Sequence, residues 1–253
     1  VDEKHKKWNE IKELSEAISK GHGDSIRTRM PESFESVMRF VLGVVRERGE
    51  AALDEIASAF EHTLWYRQRP EEISFERTFE EDMMEDIPSY EKVVNSRGAI
   101  RLHRCDLTAD GIAGEIRSRD RTYNFEIRID GLSCECPAAS KYYRGQVCKH
   151  LACAIHDLLF DKRIEEREPE LHIRAIYLCS HLFSLTLDIG TKLKQAVKVL
   201  CYWNMLDRLP GGAYRTTPAG EVAAETSWDL LLVRHVADRV RAVSYTHLTL
   251  PTN

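Results

Sequence analysis

IAGEIRSRDRTYNFEIRIDGLSCECPAASKYYRGQVCKHLACAIHDLLF, residues 112–160, decides how the middle of this chain folds. IAGEIRSR (112–119) and TYNFEIRID (122–130) alternate apolar and polar residues at period two around a polar turn at Asp120 and Arg121, which predicts a β-hairpin. Cys134, Cys136, Cys148 and His150 follow in CxCx(11)CxH order. Three thiolates and an imidazole match the softness and tetrahedral preference of Zn²⁺, and the spacer lets the two ligand pairs fold onto one ion. From 147 to 160 the chain reads VCKHLACAIHDLLF, which predicts a helix with Val147, Leu151, Ile155, Leu158 and Leu159 on one stripe able to pack on the hairpin. The expected unit is a ββα module over residues 111–160.

Four protein ligands saturate a tetrahedral ion and leave no position for water, so the pattern predicts a structural site rather than hydrolysis at the metal. Three thiolates, a neutral imidazole and Zn²⁺ sum to a net charge of about −1. Lys141, Arg144 and Lys149 lie close in sequence; they either offset that charge as a solvated basic rim or face a polyanion. Cys153 and His156 follow on the same predicted helix as spare ligand types, but a filled tetrahedron needs neither, and packing or solvent roles are expected for both.

The CxC pair, spacer and CxH pair, following a hairpin and opening a helix, resemble the SWIM zinc finger. That resemblance implies one structural Zn²⁺ held by Cys134, Cys136, Cys148 and His150.

The 253 residues suffice for one large or two to three small domains. At 43% hydrophobic and 30% charged, the composition is that of an ordinary soluble protein. A net charge of −5 excludes a chain that coats nucleic acid through bulk electrostatics, so any such contact must come from local patches. Seven cysteines, three of them in a metal pattern, fit a reducing cytoplasm better than a disulfide scaffold. The longest apolar stretch, 37–45, is interrupted by Arg39 and is too short to cross a bilayer. The chain opens at Val1 directly in a charged helical pattern, as a fragment of a longer protein would. Its tail, SYTHLTLPTN (244–253), looks like translated adapter sequence and is set aside from fold reasoning.

Outside the module the patterns are helical. Residues 1–19 read as a charged helix broken at 21–24. PESFESVMRFVLGVVRERGE (31–50) is a helix with capping signals at Ser33 and Ser36 and an end at Gly49. Residues 51–66 form a second helix, and the acid-rich 71–91 a solvated helix or linker, or alternatively an acidic docking face. A charged break at 161–169 leads to a helical pattern over 171–187. Residues 191–206 are then helical, and LPGGAYRTTP (209–218) makes a short hairpin with a double-glycine turn. A helix opens at Thr217 and Pro218, an N-cap followed by proline at the first helical position. This last segment looks like a winged helix, with Tyr214 and Arg215 as wing contacts to a nucleic-acid backbone or as surface residues.

GHGDSIRTRM (21–30) with FEHTLWYRQ (60–68), and NMLDRLPGGAYRTTPAGEVAAE (204–225), resemble the winged-helix region of archaeal superfamily 2 (DEAD/DEAH-box, Ski-type) DNA helicases. The blocks are adjacent in that family and about a hundred residues apart here, which implies a SWIM finger inserted in the winged-helix region. WDLLLVRHVADRV (228–240) would begin the family's next helical domain. The expected organisation is therefore α+β and mostly helical: a helicase-like helical segment to 70, an acidic linker or helix over 71–110, the finger over 111–160, a winged-helix-like segment over 170–226, and a further helical domain from 227 to 243. There is no GxxxxGK[ST] phosphate loop and no DEAD or DEAH tetrad, so ATP and Mg²⁺ belong only to motor domains lying outside these residues. Two functions follow: a zinc-stapled accessory region of an ATP-dependent DNA helicase that grips DNA or a partner protein, or a protein-interaction adaptor using the finger and the acidic segment.

Overall fold

The computed structural model describes residues 33–63, 73, 75–86, 97–138, 147–183 and 187–248. The expectations at 1–19, 21–30 and 64–68, and those for Lys141 and Arg144, lie outside them. The architecture is α+β. Among the described residues three helices come first: α1 Phe34–Arg48, α2 Leu53–Glu61 and α3 Phe79–Asp86. Four strands follow, β1 Ile100–Leu107, β2 Gly111–Ser118, β3 Arg121–Arg128 and β4 Gly131–Cys134. Next come α4 Lys149–Phe160, α5 Lys162–Arg167, α6 Pro169–Leu182 and α7 Ile189–Tyr202. A hairpin of β5 Leu206–Arg208 and β6 Tyr214–Thr216 leads to α8 Pro218–Glu225 and α9 Leu230–Leu248.

Capping fixes most helix starts. Ser33 Oγ accepts the Ser36 N–H at 3.3 Å, and α1 stops where Gly49, at φ 79°, turns its N–H back onto the Arg46 carbonyl. Asp188 caps α7 through the Gly190 and Thr191 amides. Thr217 caps α8 through the Gly220 amide, with Pro218 at the first helical position as its sequence predicts. Asp161 likewise accepts the Arg163 N–H and starts α5, so the expected charged break at 161–169 is instead a short helix.

The four strands form an antiparallel meander in the order β1-β2-β3-β4, so the ββα module expected from sequence is a four-stranded sheet followed by a helix. The predicted hairpin supplies β2 and β3. Strand β1 occupies residues expected as linker; it pairs from Ile100↔Ser118 to Leu107↔Ile112 with a bulge between Leu102 and Arg104. That extra residue shifts the alternation, which hides the strand from a period-two reading. Ile112, Ile116, Phe125 and Ile127 are buried on one sheet face, where α4 and α6 pack. Gly114 sits there because a Cβ would lie 2.7 Å from the Phe125 ring and 2.5 Å from the Arg104 carbonyl oxygen.

The helices before and after the sheet pack on each other: α1 lies against α6, α7, α8 and β6. Ala51 forms a bridge with Tyr214, exchanging N–H···O bonds of 3.0 and 2.8 Å. Gly211 and Gly212, at φ 93° and 89°, supply the left-handed turn between β5 and β6. The acid-rich helix is tied down where it is described. Asp82 is buried, ion-paired with Arg77 at 3.1 Å and hydrogen-bonded by the Asp188 N–H, and Glu80 meets His156 at 3.2 Å. Arg234 of α9 makes a two-pronged bond to Glu170 at 2.8 and 2.5 Å. No described helix is long and apolar enough to cross a membrane.

Candidate metal centre

The end of β4 and the start of α4 converge on one point. Cys134 is the last residue of β4, paired with Phe125, and Cys136 follows in the turn. Two contacts fix that turn to β3: Glu135 N–H donates to the Asn124 carbonyl at 3.0 Å, and Asn124 Nδ2 donates to the Glu135 carboxylate at 2.8 Å. Cys148 is the N-cap of α4 and His150 lies in its first turn. One ligand-type atom from each of Cys134, Cys136, Cys148 and His150 lies within 4.8 Å of every other. A tetrahedral Zn²⁺ site with Zn–S near 2.3 Å and Zn–N near 2.0 Å has edges of roughly 3.5–3.8 Å, so the cluster needs only a small contraction to close on an ion.

The electrostatics fit a cation. Cys136, Cys148 and His150 are buried and Cys134 is half-buried. His150 Nδ1 is buried without a hydrogen-bonding partner, while its ring leans on Tyr123 with centroids 4.8 Å apart. A hydrogen bond from the Cys134 thiol, helped by His150 and by the Leu151 amide at the helix N-terminus, pulls Cys148 well below the usual thiol range despite its burial. Cys134, which keeps the proton in that bond, is pushed up correspondingly. Elsewhere burial dominates: alone it raises Cys179 to about 12, with the Glu168 and Asp106 carboxylates it raises Cys105 to about 12, and it raises Cys201 to about 11. The cluster is thus where a thiolate is stabilised, and the Leu151 N–H···Sγ bond of 3.5 Å is the kind of outer contact that orients a metal-bound sulfur. All seven cysteines are free thiols.

The remaining candidate residues do not join the cluster. Cys153 is buried one turn further along α4, and His156 is buried with its Nε2 3.2 Å from a Glu80 carboxylate oxygen and its ring against Phe160. Lys149 is exposed at the first position of α4, beside the ligands. Tyr214 and Arg215 lie in the separate β5–β6 hairpin, Tyr214 half-buried with its backbone committed to Ala51 and Arg215 exposed. Sequence reading missed the basic residues that the sheet gathers: Arg101 stands directly opposite Arg117 across β1 and β2. These two are sixteen positions apart, and only the register of a strand hidden by its bulge brings them together.

What the cluster can do chemically is hold one ion and, through it, join β4 to α4. Compared with family models, curated proteins and solved structures, the chain returns no match.

Proposed function

We propose that Cys134, Cys136, Cys148 and His150 hold one structural Zn²⁺ in a SWIM-type module, and that this module is part of an accessory, nucleic-acid-gripping region of an ATP-dependent DNA helicase. The observation that carries the reading is the largely buried Cys₃His cluster, with its four ligand-type atoms within 4.8 Å of one another. Saturated by protein ligands, the ion staples and does not catalyse. The packing of α1 on α7, α8 and β6 supports an inserted arrangement, in which helices, hairpin and α8 form a winged-helix unit interrupted by the finger. In this reading the motor that hydrolyses ATP is supplied by other domains, and this chain contributes grip on DNA. Free thiols throughout fit a reducing, cytoplasmic setting.

The adaptor alternative relied partly on a free acidic face. Asp82 and Glu80 are engaged with Arg77, Asp188 and His156, which weakens that reading. The test is fluorescence anisotropy of the zinc-loaded chain with labelled single-stranded, forked and duplex DNA, from low to physiological salt. Binding that falls steeply with salt supports the proposal, whereas no binding at low salt removes its DNA component.

A further inference from the structure

Strand β1 is one edge of the sheet, and a cleft of about 1040 Å³ is lined by its residues together with residues of α4, α5 and α6. Arg101, Arg104, Lys162, Arg163 and Arg167 line this cleft, against the carboxylates of Asp157, Asp161 and Glu168. At the lip, on the sheet's solvent face, Arg101 stands directly opposite Arg117. Arg119 continues the strip into the β2–β3 turn, where it takes φ 55° and its N–H bonds the Ala99 carbonyl at 3.2 Å, whereas Arg121, paired with Ser118, falls on the sheet's other face.

Neighbouring carboxylates neutralise only some of these cations. Asp106 pairs with Arg104 at 2.8 Å and Asp161 with Arg163 at 2.7 Å, while Arg128 is taken by Glu126 and Asp110. Among the described residues, Arg101, Arg117, Arg119, Lys162 and Arg167 are exposed and in no ion pair. Like charges facing each other across a strand pair destabilise a sheet. A protein with a net charge of −5 that nevertheless juxtaposes unneutralised arginines on one strip presents a surface complementary to a polyanion.

We propose that this strip, from the α5 wall of the cleft across the β1 edge to the β2–β3 turn, is a track for the phosphodiester backbone of nucleic acid. Arginine suits phosphate because its planar fork donates two parallel hydrogen bonds to the oxyanion pair. No exposed Phe, Trp or Tyr lines the cleft among the described residues, so contact is with backbone rather than stacked bases, and it is insensitive to sequence. The inference rests on the nucleic-acid reading above but moves its main contact from Lys149 and Arg215 to the sheet.

The experiment is anisotropy of the zinc-loaded chain with a labelled 20-mer, single-stranded or duplex, across a salt series. It compares wild type, Arg101→Gln/Arg117→Gln, and Lys149→Gln/Arg215→Gln, with a poly-glutamate peptide as competitor; circular dichroism and zinc content verify that each variant is folded. The track predicts that the Arg101/Arg117 pair weakens binding at least tenfold at low salt and flattens the dependence of log K on log[salt] by about 2, while the Lys149/Arg215 pair changes little. If wild type binds and the Arg101/Arg117 pair binds equally well, the track is wrong while the DNA reading survives. If wild type binds no DNA at low salt, both fall. Equal competition by poly-glutamate would overturn nucleic acid as the partner.

Discussion

Truncating Ile155 to alanine tests whether the sheet and α4 hold the two ligand pairs in place. Ile155 is fully buried in a helix that packs against β1, β2, β4 and α6, and that carries His150 in its first turn. Ile155→Ala deletes three carbon atoms. At about 0.8 kcal/mol each, their transfer accounts for roughly 2.4 kcal/mol. A partly relaxed cavity of about 50 Å³ adds about 1 kcal/mol at roughly 24 cal/mol per Å³. A loss of about 3–4 kcal/mol corresponds to a fall in Tm of about 6–16 °C for a chain of this size. Thermal unfolding of the zinc-loaded protein by circular dichroism reads that shift, and competition against a chromophoric chelator reads the accompanying loss of metal affinity, because metal binding and folding of the site are coupled. Leu232→Ala on α9, where the side chain is 51% exposed, provides the control and should stay within about 0.5 kcal/mol. A loss below about 1 kcal/mol for Ile155→Ala, with unchanged metal affinity, would refute the claim that this core positions the ligands.

Other outcomes follow from separate parts of the fold. Gly220→Ala places a Cβ 2.0 Å from the Met205 carbonyl oxygen, backbone against backbone, so α8 must shift; a loss of about 1–3 kcal/mol or more is expected by denaturant titration. Burial opposes ionisation of Glu170, but the Arg234 guanidinium outweighs it and holds that carboxyl below its usual range, so the pair stabilises the fold above the unfolded-state value near 4.3 and is lost as pH falls through the lower folded value. Arg234 also lies over the Trp203 ring at 5.4 Å, so Trp203 emission should change in that acid range in wild type and not in Glu170→Gln. Cys153→Ala should leave metal stoichiometry unchanged, since Cys153 is a buried packing residue outside the cluster, as metal analysis will show.

The parts legible in the sequence are those where one local rule dominates. Strands β2 and β3 announce themselves because Ile112, Ile116, Phe125 and Ile127 alternate with polar residues facing solvent. Helices α1 and α8 are marked by Ser33 and Thr217, whose side chains do accept the amides that capping requires. By contrast, IRLHRCDL of β1 buries only Ile100, and its bulge and charged residues suit an exposed edge, so it resembles linker. α5, KRIEER, has no buried residue and rests on its Asp161 cap, which composition alone reads as a break. The convergence of Cys134, Cys136, Cys148 and His150 was legible because a zinc-type site demands those residue types at that spacing. The arginine strip was not, because it exists only through strand register and the approach of α5.

A zinc finger too small to have its own core depends wholly on its metal, but Phe125, Ile127 and Ile155 are buried in the same core as the surrounding helices. Metal removal should therefore loosen β4 and the start of α4 while leaving most helical signal intact.

The most direct test of the account is metal content, measured by elemental analysis on protein purified without added metal, for wild type and Cys136→Ser. The account predicts one zinc per wild-type chain, with an X-ray absorption signature of three sulfurs and one nitrogen, and its loss in the variant. A wild-type chain without zinc, or a Cys136→Ser chain that keeps a full equivalent, would contradict it.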